Sequence, residues 1–198
     1  MEKVERSEIL DLGSYEAVRE QFRRRIIELK RNRRVTIGSN VTLLFENHDT
    51  VLYQVQEMLR TERITREDAV AHEIETYNDL IPGSHELSAT IFLEYPEREE
   101  RERMLVALAG IEDKFFMEVA GTRLFARNET RGILPGRTTA VHYTKFVLPA
   151  DAVRAFENRR AQVSVGVDHP SYRASAALAP RTIEELAFDL GVDQTEKP

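Results

Sequence analysis

The chain has no cysteine among its 198 residues. Disulfides, cysteine-ligated zinc sites, cysteine-ligated iron–sulfur clusters and thiol nucleophiles are therefore excluded, because each of them needs a thiol or thiolate. A metal bound by this chain would have to be held by histidine, aspartate or glutamate. Iron–sulfur chemistry would have to come from another protein.

Long apolar runs are also missing. The first thirty residues alternate charged and apolar groups and contain no uninterrupted apolar segment of the kind found in secretory signals. No later run approaches the ~20 apolar residues that a membrane-spanning helix needs. We therefore expect a soluble, cytoplasmic protein with no membrane partner.

Basic residues are outnumbered, with 28 Lys and Arg against 34 Asp and Glu, which gives a net charge of −6. The charge is uneven: residues 19–34 hold eight bases and two acids, and residues 46–103 hold fifteen acids and six bases. This pattern favours a solvated basic face, or pairing of the basic segment with the acidic half inside one chain or across a homo-oligomer. Nucleic-acid binding is disfavoured because the overall charge is negative and aromatic residues do not interleave with the bases.

Hydrophobic residues make up 41% of the chain, which is enough to build a core. Apolar spacing predicts helices at 14–31, 49–61, 66–80, 97–108, 149–159 and 182–190. Strands are expected at 41–45, 87–95, 114–119, 122–126, 140–148, 162–167 and 172–178. The order favours an α+β fold, with a helix-rich N-terminal part and a strand-rich C-terminal part around a mixed or antiparallel sheet. We expect one domain over residues 1–190, with room for two lobes that meet near residue 110, and a frayed tail at 191–198.

Some carboxylates fall on the apolar side of predicted helices. Glu73 lies inside the apolar arc of helix 66–80, and Glu62 and His48 lie at opposite ends of the apolar arc of the preceding helix. An unpaired buried carboxylate costs several kcal/mol, so such groups must be protonated, paired with arginine or bound to a metal. Two readings stay open here, metal ligation or proton transfer on one side and internal salt bridges on the other. The arginines available for such bridges are Arg60, Arg63 and Arg66.

Other polar positions are equally open. Glu46 ends the strand at 41–45 and is followed by three side chains with nitrogen or oxygen donors, as is common where a ligand sits between strand and helix. Gln54 and Glu57 belong to a polar helix stripe that is most simply solvated surface. His142 lies in an alternating strand, where a single histidine is most often a hydrogen-bonded structural residue. No P-loop, GxGxxG, HExxH, GxSxG or DFG pattern is present.

Three blocks, Leu44–Arg60, Glu73–Pro82 and Ala140–Tyr143, resemble a bacterial family known only as a domain of unknown function. The resemblance covers nearly the first 150 residues. Members of that family are often encoded beside rubrerythrin-like proteins and a heterodisulfide-reductase-like iron–sulfur protein, which implies a redox or peroxide-stress setting. His48 departs from the family pattern, in which arginine is common. The positions that match are Glu46, Gln54, Glu57, Glu73, Tyr77 and Asn78.

These observations lead to the hypothesis of an accessory component of a redox system, acting with an iron–sulfur oxidoreductase or a rubrerythrin-like diiron protein. In this hypothesis four carboxylates hold a metal, and their oxygen ligands favour iron, manganese or magnesium. The alternatives are a non-catalytic interaction module and an enzyme that acts on a small anionic substrate. The metal-site candidates are Glu46, Glu57, Glu62 and Glu73. The further candidate site residues are Gln54, Tyr77, Asn78 and His142.

Overall fold

The computed structural model describes residues 1–128, 134–157 and 162–192. The strands in these ranges are β1 (Arg34–Ile37), β2 (Val41–Phe45), β3 (Glu86–Leu93), β4 (Phe115–Val119), β5 (Thr122–Phe125), β6 (Arg127–Asn128), β7 (Val141–Val147), β8 (Val163–His169) and β9 (Tyr172–Ala177). They form two antiparallel sheets. The first sheet has the order β1-β2-β3-β7-β6 and the second has the order β5-β4-β8-β9.

The helices complete the fold. They are α1 (Leu12–Arg31), α2 (His48–Glu62), α3 (Glu67–Asn78), α4 (Arg98–Ala107), α5 (Ala150–Glu157) and α6 (Pro180–Asp189). Short 3-10 helices, Arg6–Glu8 and Ile111–Lys114, precede α1 and β4. Among the helices of the described ranges, none has the length and apolar character needed to cross a bilayer.

The α+β class is confirmed, and the sheets are purely antiparallel. The first sheet takes β1 to β3 from before residue 110 and β6 and β7 from after it, while the division into lobes near that residue stays a prediction. Most of the predicted tail, from residue 193 onward, lies outside the described residues.

Local signals explain where α1 and α2 begin. The Asp11 carboxylate accepts hydrogen bonds from the backbone amides of Gly13 and Ser14, so Asp11 caps α1. Asn47 caps α2 by accepting from the amide of Thr50, whose hydroxyl in turn accepts from the amide of Asn47. Because Asn47 caps this helix, Glu46 sits at the sharp junction between β2 and α2.

The main hydrophobic core lies between the two sheets. From β2 it includes Val41, Leu43 and Phe45, every second residue, because successive side chains of a strand point to opposite faces. Helices α4, α5 and α6 add apolar residues to the same core. We call the side of the first sheet that carries these residues its inner face.

A second, smaller core joins the N-terminal segment to α2 and α3. Its buried members include Val51, Val55 and Leu59 from α2 and Val70 and Ile74 from α3. The first sheet contributes to it through Tyr143 of β7, which packs against this cluster. Helices α2 and α3 therefore lie on the opposite side of the first sheet, which we call its outer face.

Candidate functional site

The outer face of the first sheet carries buried polar side chains at its centre. In β3, Ser88 and Thr90 alternate with the core residues of the inner face and are almost completely shielded from solvent. Thr90 pairs with Tyr143 of β7, and Ser88 pairs with Lys145. Since burial of unsatisfied polar groups is unfavourable, these side chains need partners on the helices or in the groove beside them.

Glu46 is the centre of this polar layer and is only 2% exposed. The hydroxyls of Thr50 and Thr90 donate to its carboxylate at 2.5 Å each, and the Gln54 amide donates at 3.0 Å. Within the described ranges the carboxylate makes no ion pair. A buried carboxylate held by neutral donors is satisfied through hydrogen bonds instead of by a neighbouring opposite charge.

Lys30 of α1 is a basic group that interacts electrostatically with the Glu46 carboxylate. Its side chain is half-buried, and its ammonium nitrogen lies 5.3 Å from the centre of the Tyr53 ring. Burial lowers the pKa of Lys30, and the negative charge of Glu46 opposes that shift. The polar layer thus extends from β3 across β2 to α1.

A groove runs along β7, where α3 ends above the outer face. Its inner cavity, of about 240 Å³, is bordered by Glu73, Thr76 and Tyr77 of α3 and by Tyr143. Its outer cavity, of about 310 Å³, is bordered by Ser88 among others. The two cavities share Leu80 and Tyr143 in their walls, so they lie side by side, and together we call them the α3–β7 groove.

The groove adjoins the Glu46 network. The backbone amide of Glu46 donates to the carbonyl of Ser88 at 2.8 Å, and Ser88 borders the outer cavity. Thr90, which donates to the Glu46 carboxylate, is the register partner of Tyr143. Ser88 and Thr90 therefore connect Glu46 to residues that border the groove.

Two tyrosines give the inner cavity its character. Burial raises the pKa of Tyr77, and the nearby Tyr143, Glu73 and Glu62 raise it further. Tyr77 therefore stays protonated at neutral pH, with a hydroxyl that can donate a hydrogen bond. A cavity with apolar walls and a few polar groups is the usual form of a small-molecule site.

Four charged side chains border the outer cavity: Asp79, Glu86, Arg127 and Lys145. The Lys145 ammonium lies 3.6 Å from the Glu86 carboxylate. Arg127 makes no ion pair with any described residue. The outer cavity is therefore the charged end of the groove, and the inner cavity is its aromatic end.

The family model described as "Protein of unknown function (DUF3501)" matches residues 3–190. The chain belongs to this family. It is also similar to a crystal structure of a novel protein of unknown function from Burkholderia pseudomallei, with 34% sequence identity and a TM-score of 0.90 over 96% of this chain and 100% of that chain. None of the curated proteins matches the chain.

In this member of the family, the four carboxylates of the predicted metal site do not share one site, although Glu62 and Glu73 both lie near Tyr77. Glu46 lies in the polar layer, Glu73 borders the inner cavity, and Glu62 is exposed at the end of α2. Glu57 accepts hydrogen bonds from Tyr15 at 2.6 Å and from Arg19 at 2.7 and 2.8 Å.

These contacts keep Glu57 between α1 and α2, and they lower its pKa, chiefly through the bond from Arg19. In the part of the chain that the structure describes, no group of three or more histidine, aspartate or glutamate side chains could hold a metal. Metal binding at the four carboxylates stays a prediction, and the geometry adds no support to it.

The other predicted site residues also lie in different parts of the structure. Gln54 belongs to the Glu46 network and Tyr77 to the groove. Asn78 holds the N-terminal segment: its side chain accepts from the Val4 amide at 2.8 Å and donates to the Val4 carbonyl at 3.0 Å. These two hydrogen bonds to the backbone of Val4 give Asn78 a structural role.

His142 borders the inner cavity, but its ring faces the core between the sheets, 5.5 Å from the Phe115 ring. Its Nε2 lies 3.3 Å from the Thr138 hydroxyl. Burial lowers its pKa, although the nearby Glu112 acts in the opposite direction. The ring is therefore neutral at physiological pH and serves the packing of the two sheets.

Sequence reasoning missed Thr50, Thr90, Tyr143, Lys145 and Arg127. A signal for one of them, Thr90, was present, since serine and threonine alternate with apolar residues in β3 and so mark polar positions on one face. No comparable signal marked Arg127, because its position depends on the pairing of β6 with β7.

Proposed function

We propose that this protein is an accessory component of a cytoplasmic redox or oxidative-stress system that binds a small organic molecule in the α3–β7 groove. The observation that carries the binding role is the pair of adjacent cavities, one aromatic and one charged, beside the buried Glu46 network. Pockets of a few hundred Å³ with few polar groups suit small ligands.

The redox part of the proposal is supported by the family resemblance, since members are often encoded beside rubrerythrin-like and iron–sulfur proteins. The chain has no cysteine with which to ligate a cluster. In this proposal the iron–sulfur or diiron partner carries out electron transfer, and the present chain binds the small molecule.

The binding role is tested by thermal unfolding in the presence of a broad panel of small organic acids, amides and alcohols. A ligand that binds only the folded state raises the melting temperature. Thr76→Trp fills the inner cavity and should abolish the shifts seen with the natural protein. His72→Trp, at an exposed position of the same helix, should retain them.

Two outcomes would contradict the binding role. One is that no compound of the panel shifts the melting temperature. The other is that Thr76→Trp and His72→Trp respond alike, which would place any binding elsewhere.

The partner is tested by mixing the purified chain with a heterodisulfide-reductase-like iron–sulfur protein, the partner class that the family resemblance implies, and following co-elution on a sizing column. Reversal of Arg23, Arg24 and Arg25 to glutamate on the exposed face of α1 should abolish co-elution. The matched control reverses three exposed arginines elsewhere, Arg66, Arg98 and Arg103. Failure of the natural protein to co-elute would remove this partner from the proposal.

A further inference from the structure

Two cations lie directly opposite each other at the outer end of the groove. The register of β6 and β7 pairs Arg127 with Lys145. Residues that face each other across antiparallel strands have Cβ atoms about 4.5–5.5 Å apart, and like charges in such a pair destabilise the sheet. Both residues border the outer cavity, so their repulsion is concentrated at its wall.

The surrounding carboxylates compensate this pair only in part. Glu86 lies 3.6 Å from Lys145, but the same carboxylate oxygen also accepts from the backbone amide of Gly83 at 3.0 Å. Arg127 has no ion pair among the described residues. Asp79 borders the same cavity without contacting either cation. Within the described ranges, the Arg127 guanidinium therefore has no carboxylate partner at the mouth of the groove.

The floor beside the two cations is also polar. Ser88 pairs with Lys145 on the other side of β7, so that Arg127, Lys145 and Ser88 form one row across three strands. Ser88 is buried and borders the cavity. A ligand group in this row would meet a guanidinium and an ammonium, and a hydroxyl beside them.

We propose that Arg127 and Lys145 bind the oxyanion of a small molecule, a carboxylate or a phosphoryl group, whose organic body lies toward Tyr77 and Tyr143. This inference rests on the proposed binding role of the groove and names the chemical class of its ligand. The planar guanidinium suits two-point contact with an oxyanion, and the ammonium adds a point charge. Binding of the anion relieves the repulsion between the two cations.

The experiment measures binding by calorimetry at constant ionic strength with three probes: benzoate, its neutral analogue benzamide, and inorganic phosphate. Benzoate and phosphate should bind the natural protein, and Arg127→Gln and Lys145→Gln should each weaken their binding at least tenfold. Binding of benzamide should change little. The matched control is Arg123→Gln on β5, because Arg123 is already paired with Glu118 and Asp168.

A third variant tests the charge balance of the cavity. Asp79→Asn removes an acid from the wall, so it should tighten the binding of both anions several-fold and leave benzamide unaffected. An unchanged affinity would mean that the anions bind away from this cavity and would overturn the assignment.

The remaining outcomes separate the two proposals. In one outcome, benzamide binds and the two anions do not. In another, the anions bind Arg127→Gln and Lys145→Gln as tightly as they bind the natural protein. In both cases the oxyanion site is wrong, while the groove keeps its proposed binding role. If none of the three probes binds, the oxyanion site is again wrong, and the compound panel decides the binding role. Circular dichroism of each variant verifies that it is folded.

Discussion

The two faces of the first sheet carry the same strands but different chemistry. On the inner face, Leu43 and its neighbours pack in an apolar core against the second sheet. On the outer face, Ser88 and Thr90, which alternate with core residues of the inner face along β3, are equally buried but polar. The inner face therefore holds the fold together mainly by burial of apolar area, and the outer face uses hydrogen bonds around Glu46 and leaves a groove.

In the proposed function, stability and ligand binding are divided between the two faces. Apolar contacts have little directional preference, so the inner face specifies packing and offers no chemistry for a ligand. The outer face has buried donors, a buried carboxylate and charged residues beside an open cavity. Substitutions on the two faces should therefore differ in their effects on stability.

The largest loss is expected for Leu43→Ala, which removes a fully buried side chain from the core between the sheets. Deletions of this type cost about 2–5 kcal/mol because transfer energy is lost and a cavity remains. Urea unfolding measures the change. Val106→Ala, at an exposed position of α4, is the control and should stay within about 0.5 kcal/mol of the natural protein. A similar cost for both variants would contradict the role given to the inner face.

A smaller loss is expected for Glu46→Ala on the outer face. It leaves the donors of Thr50, Gln54 and Thr90 without their shared acceptor, at a cost of about 1–3 kcal/mol. Glu46→Gln retains the volume and one oxygen acceptor, so its cost should fall between zero and that of Glu46→Ala. Should both variants match the natural protein in urea unfolding, the network would not contribute to stability.

Thr90→Val should have a still smaller effect of about 1 kcal/mol, because it removes one hydrogen bond and preserves the shape of the side chain. Glu46 keeps the donors of Thr50 and Gln54 in this variant. The control, Thr122→Val, changes an exposed position of β5 and should have almost no effect. Equal effects of the two valine variants would argue against a special role for the outer face.

The smallest effect on the free energy of unfolding at neutral pH is expected for His142. Its effect on stability emerges only when the solution is acidified. Its folded-state pKa lies below the ordinary value of 6.5 because its ring is buried. The unfolded chain therefore binds a proton first, so stability is constant above about pH 6.5 and falls as the pH decreases toward the folded-state pKa. Urea midpoints between pH 7.5 and 5 measure this slope.

The slope should be reduced in His142→Gln and retained in His72→Gln, whose histidine is exposed. A slope that is unchanged in His142→Gln would mean that another group on either face causes it.

Much of the local structure was predictable. The apolar period predicted α1, α2 and α3 to within about two residues at most ends, and composition predicted the α+β class. The start of the first helix differed by two residues, since α1 is capped by Asp11 and begins at Leu12, whereas residue 14 was expected. Local charge patterning also gave a correct alternative: the basic helix pairs internally with the acidic segment through Arg19–Glu57 and Arg25–Asp49.

The candidate site was only partly predictable. Glu46 was placed correctly at the junction of strand and helix, but its partner Thr90 lies 44 residues away in sequence. The metal site of four carboxylates stays a prediction, and it requires that Glu46 at a strand end meet acids from two helices. The structure adds no support for this, because Glu57 accepts a hydrogen bond from Arg19 of α1.

By itself the sequence determined the elements, the absence of thiol chemistry and the polar character of alternate positions in β3, because these follow from residue type and local period. Only the tertiary structure decided that Arg127 faces Lys145 and that α3 leaves a groove over β7. Strand register and helix docking bring together residues that are distant in the chain. Their choice depends on the packing of whole surfaces, which a local pattern does not contain.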